Sequence, residues 1–166
     1  MGEIMAEEKS AAPSEILRTE ENFRWQGVKC LAYKDADAAP FKKVSRQILF
    51  SDPHLQGELR YFEVAPGGYT TLERHAHMHA VMVLRGEGHC LAGDRIHFLK
   101  PYDLVTIAPW SWHQFRAGPL QSLGFLCLVN ASRDRPQLPD ADDLTRLRAD
   151  PAIAAFLEGR IAQKKG

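Results

Sequence analysis

Glu73, His75, His77 and His79 occupy alternate positions in the segment PGGYTTLERHAHMHAVMVLRGEG. In an extended strand, residues spaced by two project to the same side. The spacing therefore gathers three imidazoles and a carboxylate around one volume. That donor set suits a divalent transition ion such as Mn, Fe, Ni, Cu or Zn rather than Ca or Mg. The flanks point the cluster inward: Pro66-Gly67-Gly68 ahead and RGEG behind are turn signals, and AVMVL between them is strongly apolar. Buried imidazoles need partners for their lone pairs, and one metal ion serves several neutral histidines at once.

The elements that position such a cluster are short strands. From Phe23 onward, β-type runs (VKCLAY, KVSRQILF, ELRYFEV, HAVMVL, GHCLA, RIHFL, LVTIA, HQFRA, SLGFLCLV) alternate with turns such as SDPHLQG, AGD, KPYD and PWSW. Many short strands at even spacing predict an all-β sandwich or barrel. Three regions follow: an acidic, flexible N-terminal tail (1–22), a β-barrel (23–130), and a linker with a C-terminal helical segment (131–166). In that last segment Asp140 or Asp142 can cap a helix through LTRLRA. Asp150-Pro151 then opens PAIAAFLEGRIA, whose Ile153, Ala154, Leu157 and Ile161 share a face that should pack on the barrel or on a neighbouring subunit.

Composition narrows the function classes. Lys+Arg and Asp+Glu both total 21 in the 166-residue chain, so the formal net charge is zero. That balance gives no basic stripe for nucleic acid or for an anionic membrane surface. No window approaches the roughly 20 apolar residues a membrane span needs, and the N-terminus lacks a signal-peptide pattern. Cys30, Cys90 and Cys127 are widely separated and form no CxxC pair, against a disulfide framework or a cysteine zinc site. Cys127, inside FLCLV, reads as a buried and inert thiol. A reducing cytoplasm is the expected compartment. No P-loop, dinucleotide fingerprint or nucleophile elbow is present.

These residues also resemble the cupin family. Its first motif, G-x5-H-x-H-x3-E-x6-G, set with its glycines on Gly67 and Gly86, places its two histidines on Glu73 and His75 and its glutamate on His79. A frame shifted by two places His75 and His77 on the pair, but moves the first glycine to Tyr69 and the glutamate to Val81. The first frame keeps both turn glycines and puts a competent donor in every slot. The second motif, G-x5-P-x-G-x2-H-x3-N, falls on KPYDLVTIAPWSWHQFRA with its histidine at His113, while Tyr102, Ala108, Trp110 and Ala117 replace the other motif residues. The resemblance covers residues 25 to 130 and is nearest to small single-domain cupins with LERHxHxH and WHQF.

The resemblance implies a jelly-roll, double-stranded β-helix barrel with a short C-terminal helix. It implies one divalent transition metal (Mn, Fe, Ni or Zn) held by Glu73, His75, His79 and His113, with a coordination position left open. His77 is the rival of Glu73 for the fourth place. Trp110, Trp112 and Phe115 form either an aromatic wall to a substrate pocket or a packing cap. The function expected is a dioxygenase-like oxidoreductase acting on a small organic molecule, with Glu73 able to serve as base. The alternatives are a non-catalytic metal-bearing binding module and a non-redox isomerase or lyase. No Arg-lined pocket is evident, since Arg74 and Arg85 have outward parity. The runs VKCLAY and KVSRQILF are candidates for strand exchange in a homodimer.

Overall fold

Alternating apolar residues in the β-type runs bury one face of each strand, and the strands close on one another to shelter those faces. The computed structural model describes residues 14–34 and 39–161, so residues 1–13 of the acidic tail lie outside the described residues. Its strands are β1 (Leu31–Ala32), β2 (Lys42–Asp52), β3 (Gly57–Tyr69), β4 (His79–Arg85), β5 (Gly88–Ala92), β6 (Arg95–Leu99), β7 (Leu104–Ile107), β8 (His113–Ala117) and β9 (Leu123–Asn130). They form one curled antiparallel sheet in the order β6-β5-β8-β3-β9-β4-β7, with β2 on β3 and β1 on β2. The result is an all-β barrel of the jelly-roll kind. Both candidates for strand exchange pair within their own chain, and VKCLAY contributes only the two residues of β1.

Register defines what the barrel encloses. Val64 pairs with Leu123, Phe62 with Phe125, and Arg60 with Cys127; on the far side of β9, Phe125 pairs with Val83 and Cys127 with Val81. Paired residues share a face, so three inward rows result. The two deeper rows are apolar and essentially inaccessible, and the third introduces Arg60 and Cys127. The next inward residue on β4 is His79. Polarity thus rises along the barrel toward one mouth. Met82, out of phase with His79 and Val81, is partly exposed on the outer face.

The two glycines that anchor the first motif frame both need left-handed backbone: φ is +69° at Gly67 and +70° at Gly86. A Cβ on Gly86 would lie 1.7 Å from the Ser122 carbonyl oxygen, so side chains are barred on two counts. The second motif departs from glycine at Tyr102 and Trp110, yet the chain keeps the glycine conformation there, with φ of +73° and +61°. The turn geometry is retained and the residue type is not.

Beyond the barrel, α1 (Ala141–Arg148) starts at Asp140, which forms a reciprocal capping box with Asp143. α2 (Pro151–Leu157) starts at Asp150, whose carboxylate accepts from the N–H groups of Ala152 and Ile153. Ile153 and Phe156 bury against Leu72, Leu91 and Leu147, which docks the helices on the barrel's flank. Arg116 ties the junction by donating to the Leu157 carbonyl at 2.7 Å. None of the described helices is long and apolar enough to cross a membrane.

Candidate metal centre

Two segments are zipped together to build the site. Glu73 and His113 exchange backbone hydrogen bonds (3.2 and 3.0 Å), and the Trp110 N–H donates to the His75 carbonyl at 2.7 Å. The left-handed turn at Trp110 therefore fixes the backbone that carries His75. His75 does not sit on the same strand as His79. Residues 76 and 77 form a bend, and β4 begins only at His79. Convergence of the imidazoles comes from this bend and from the zipped segments, not from the period of a single strand.

Ring nitrogens of His75, His79 and His113 all lie within 4.8 Å of one another. His75 donates Nδ1–H to the His77 carbonyl at 2.7 Å, and His113 donates Nδ1–H to the Ser111 carbonyl at 2.9 Å. A carbonyl only accepts, so each neutral ring turns an unprotonated Nε2 elsewhere. This is how a second hydrogen bond fixes the tautomer of a metal-binding histidine. His79 has Cys127 Sγ at 3.1 Å from Nδ1 and His75 Nε2 at 2.8 Å from its own Nε2. In the metal-free chain the Cys127 thiol can donate to Nδ1 and His79 Nε2–H to His75.

Electrostatics keep these rings uncharged. Burial, followed by the neighbouring His113 and His77, lowers the His75 pKa to about 4. Burial, then His113 and His75, pushes His79 lower still, and burial also lowers His113. At neutral pH the three rings present lone pairs, the state a metal requires. The donor set fits a divalent transition ion. Three neutral imidazoles leave coordination positions for water or substrate beside the cavity.

The other expected site residues are placed differently. Glu73 is buried and lines the same cavity, but its carboxylate is ion-paired with Lys34 and stands outside the three-histidine group. His77 stacks on His75 (centroids 3.6 Å, planes within 4°) and belongs with His75 and Asp134 to a second, more exposed group. Its Nδ1 is 2.5 Å from Asp134 Oδ1. Asp134 also accepts from the N–H groups of Ala76 and His77 (2.8 and 3.2 Å), and these donors, Ala76 first, hold its carboxyl below the usual range. Asp134 thereby ties down the bend that carries His77. It falls in a charged run that reads as solvated linker, and no local signal marks it.

The aromatic wall is only partly at the cavity. Phe115 faces it, together with Phe62 and Phe125, while Trp110 is half-exposed and Trp112 packs toward the helices under Arg74. Neither Trp110 nor Trp112 lines this cavity, and Trp112 packs with the cluster under the helices, in keeping with the packing-cap alternative. Cys127 is buried as expected, but it lies on the cavity wall beside His79. The cavity, about 140 Å3, is also lined by Lys34, Arg46, Arg60 and Arg133. An Arg-lined pocket therefore exists. It was illegible in the sequence because its members come from β2, β3 and two loops.

A family model described as a cupin domain matches residues 60–128. The chain is 61% identical over 137 residues (82% of this chain, 88% of the relative) to a Rhodospirillum rubrum protein named 1-methylthio-D-xylulose 5-phosphate methylsulfurylase. The chain is a cupin. Solved cupin structures agree with its fold. A cupin-2 domain from Rhodospirillum rubrum superposes with a TM-score of 0.81 at 58% identity, covering 87% of this chain and 98% of that one. A cupin 2 conserved barrel domain protein from Rhodopseudomonas palustris gives 0.81 at 57%, covering 86% and 98%. A cupin 2 domain-containing protein from Halorhodospira halophila gives 0.63 at 45%, covering 90% and 94%.

Proposed function

We propose that this cupin is a metal-dependent enzyme that removes the methylthio group from 1-methylthio-D-xylulose 5-phosphate or a near analogue. The observation that carries this reading is the 61% identity, over most of both chains, to the relative bearing that name, together with three convergent neutral imidazoles at a cavity of small-molecule size. The residues that would hold the ion are His75, His79 and His113. When bound, the ion supplies Lewis acidity to an oxygen of the ketose. The C1–S bond breaks with its electron pair retained toward C1, where a proton takes the place of sulfur. The methylthio sulfur passes to a thiolate co-substrate, forming an S–S bond.

The chain's own groups suit the remaining tasks. Glu73 and Lys34, paired at the cavity wall, are positioned to move a proton at C1. Phe62, Phe115 and Phe125 offer an apolar surface for the thioether and limit water at the reacting carbon. The test is incubation of the metal-loaded protein with 1-methylthio-D-xylulose 5-phosphate and a small thiol. Proton NMR should reveal the C1 methyl resonance of a 1-deoxy ketose phosphate. Unchanged substrate with Mn, Fe, Ni and Zn alike would defeat the reading.

The second reading is an O2-dependent oxidation of a small chelating molecule. It draws on the three-histidine donor set, which would leave coordination positions open to both O2 and a chelating molecule at the cavity. Substrate-dependent oxygen uptake in an electrode cell separates it from the thiol-dependent reaction.

A further inference from the structure

We propose that Arg46 and Arg60 form an anion subsite inside the barrel, one that takes the phosphate of the substrate; this rests on the sugar-phosphate reading above. Arg46 on β2 pairs with Phe62, and Arg60 on β3 is two residues from Phe62 and pairs with Cys127. Paired residues and i, i+2 neighbours share a face, so both guanidiniums enter the barrel beside one another. Both line the cavity that holds the three histidines. A single thiol links the two chemistries: Cys127 Sγ lies 3.7 Å from an Arg60 terminal nitrogen and 3.1 Å from His79 Nδ1.

The other charges at this cavity have partners. Lys34 is paired with Glu73, Arg133 with Glu58 at 3.2 Å, and Asp134 with His77 and two backbone N–H groups. Arg46 forms no ion pair among the described residues. Arg60 has only Glu58, which it shares with Arg133, at 3.5 Å. The Arg46 Nε is inaccessible and has no hydrogen-bond acceptor among the described residues; the Arg60 Nε, also inaccessible, faces Glu58 Oε1 at 3.5 Å without hydrogen-bond geometry. Buried guanidinium donors without acceptors are costly, and planar forks of this kind match phosphate oxygens. In a chain of zero net charge, this is a local cationic surplus placed next to the candidate metal centre. A ketose phosphate, with its carbonyl and phosphate at separate ends, offers a ligand for each.

The test compares D-xylulose 5-phosphate with D-xylulose by titration calorimetry, in wild type and in Arg46→Met, which keeps an unbranched stem. Removing one charge-assisted hydrogen bond to the phosphate should weaken binding by about 10- to 100-fold. Wild type should prefer the phosphorylated sugar by at least that factor. Arg46→Met should remove most of the preference, and Arg46→Lys should restore part of it. Thermal melts verify folding, and Arg60→Met provides a second variant. A wild type indifferent to the phosphate overturns the subsite. So does a KM for 1-methylthio-D-xylulose 5-phosphate that stays within about twofold in both Met variants; the methylthio reaction would then survive without it. If the preference and its loss are seen but no methylthio turnover occurs, the subsite stands and the reaction assignment falls.

Discussion

Replacing Tyr102 by glycine should make the protein more stable, although it deletes a large side chain. Tyr102 holds φ at +73° and is 80% exposed, so its ring contributes little burial. Its structural work is done by the backbone: its N–H donates to the Val83 carbonyl at 2.8 Å, a bond glycine keeps. Left-handed backbone costs an L residue about 1–2 kcal/mol, and glycine's greater freedom in the unfolded chain returns about 0.5–1 kcal/mol of that. The net gain is about 0.5–1 kcal/mol. For a chain of this size each kcal/mol moves Tm by about 2–4 °C, so Tyr102→Gly should raise Tm by about 1–4 °C. The matched control is Gly86→Ala. It has the same backbone class, but its Cβ would strike the Ser122 carbonyl, and strain plus overpacking should cost about 3 kcal/mol or more. Thermal melts by circular dichroism on both variants decide the matter. A lower Tm for Tyr102→Gly together with a tolerated Gly86→Ala would refute the idea that these turns are set by backbone conformation.

Three further outcomes are expected of the structure. Phe156, fully buried between α2 and the barrel flank, should cost about 3–5 kcal/mol when cut to alanine, measured by urea unfolding. In metal-stripped protein, stability should fall as pH drops from about 6.5 to about 4, because His75 titrates near 4 in the folded chain and near 6.5 in the unfolded one. The unfolded state binds the extra proton in that window, at about 3 kcal/mol for His75 alone; a flat urea midpoint from pH 7 to pH 4.5 would contradict it. Phe50, Met82, Leu104 and Leu128 leave an apolar stripe on the outer face of the sheet, which supports a homodimer. Sedimentation equilibrium at micromolar concentration should give twice the 18.7 kDa chain mass, and a monomer would count against it.

Much of the fold was legible because each strand announces itself locally. Alternation in KVSRQILF and SLGFLCLV, with turn residues between runs, marks strands that the sheet register then pairs. Asp140 and Asp150 mark the helix starts for the same reason: capping is a local hydrogen bond. The two glycine positions of the second motif were harder, since Tyr102 and Trp110 hide a conformation that only φ reveals. The site was legible where its residues are chemically unusual and close in sequence, as His75 and His79 are. It was not legible where ordinary residues become special through long-range pairing. Arg46 and Arg60 look like polar positions of two strands until the register turns both inward beside Cys127. Asp134 looks like linker until the chain after β9 returns to the bend at His77. Lys34 meets Glu73 across 39 residues, and nothing in either segment signals the other.

Metal binding by His75, His79 and His113 is the property on which the proposed chemistry depends. Elemental analysis of untagged protein, produced with Mn, Fe, Ni and Zn available, measures it directly. About one transition-metal ion per chain is expected, lost in His75→Ala and in His113→Ala while both variants remain folded. Absence of stoichiometric metal from the wild type, or its full retention in those folded variants, would contradict the assignment of these three histidines as ligands.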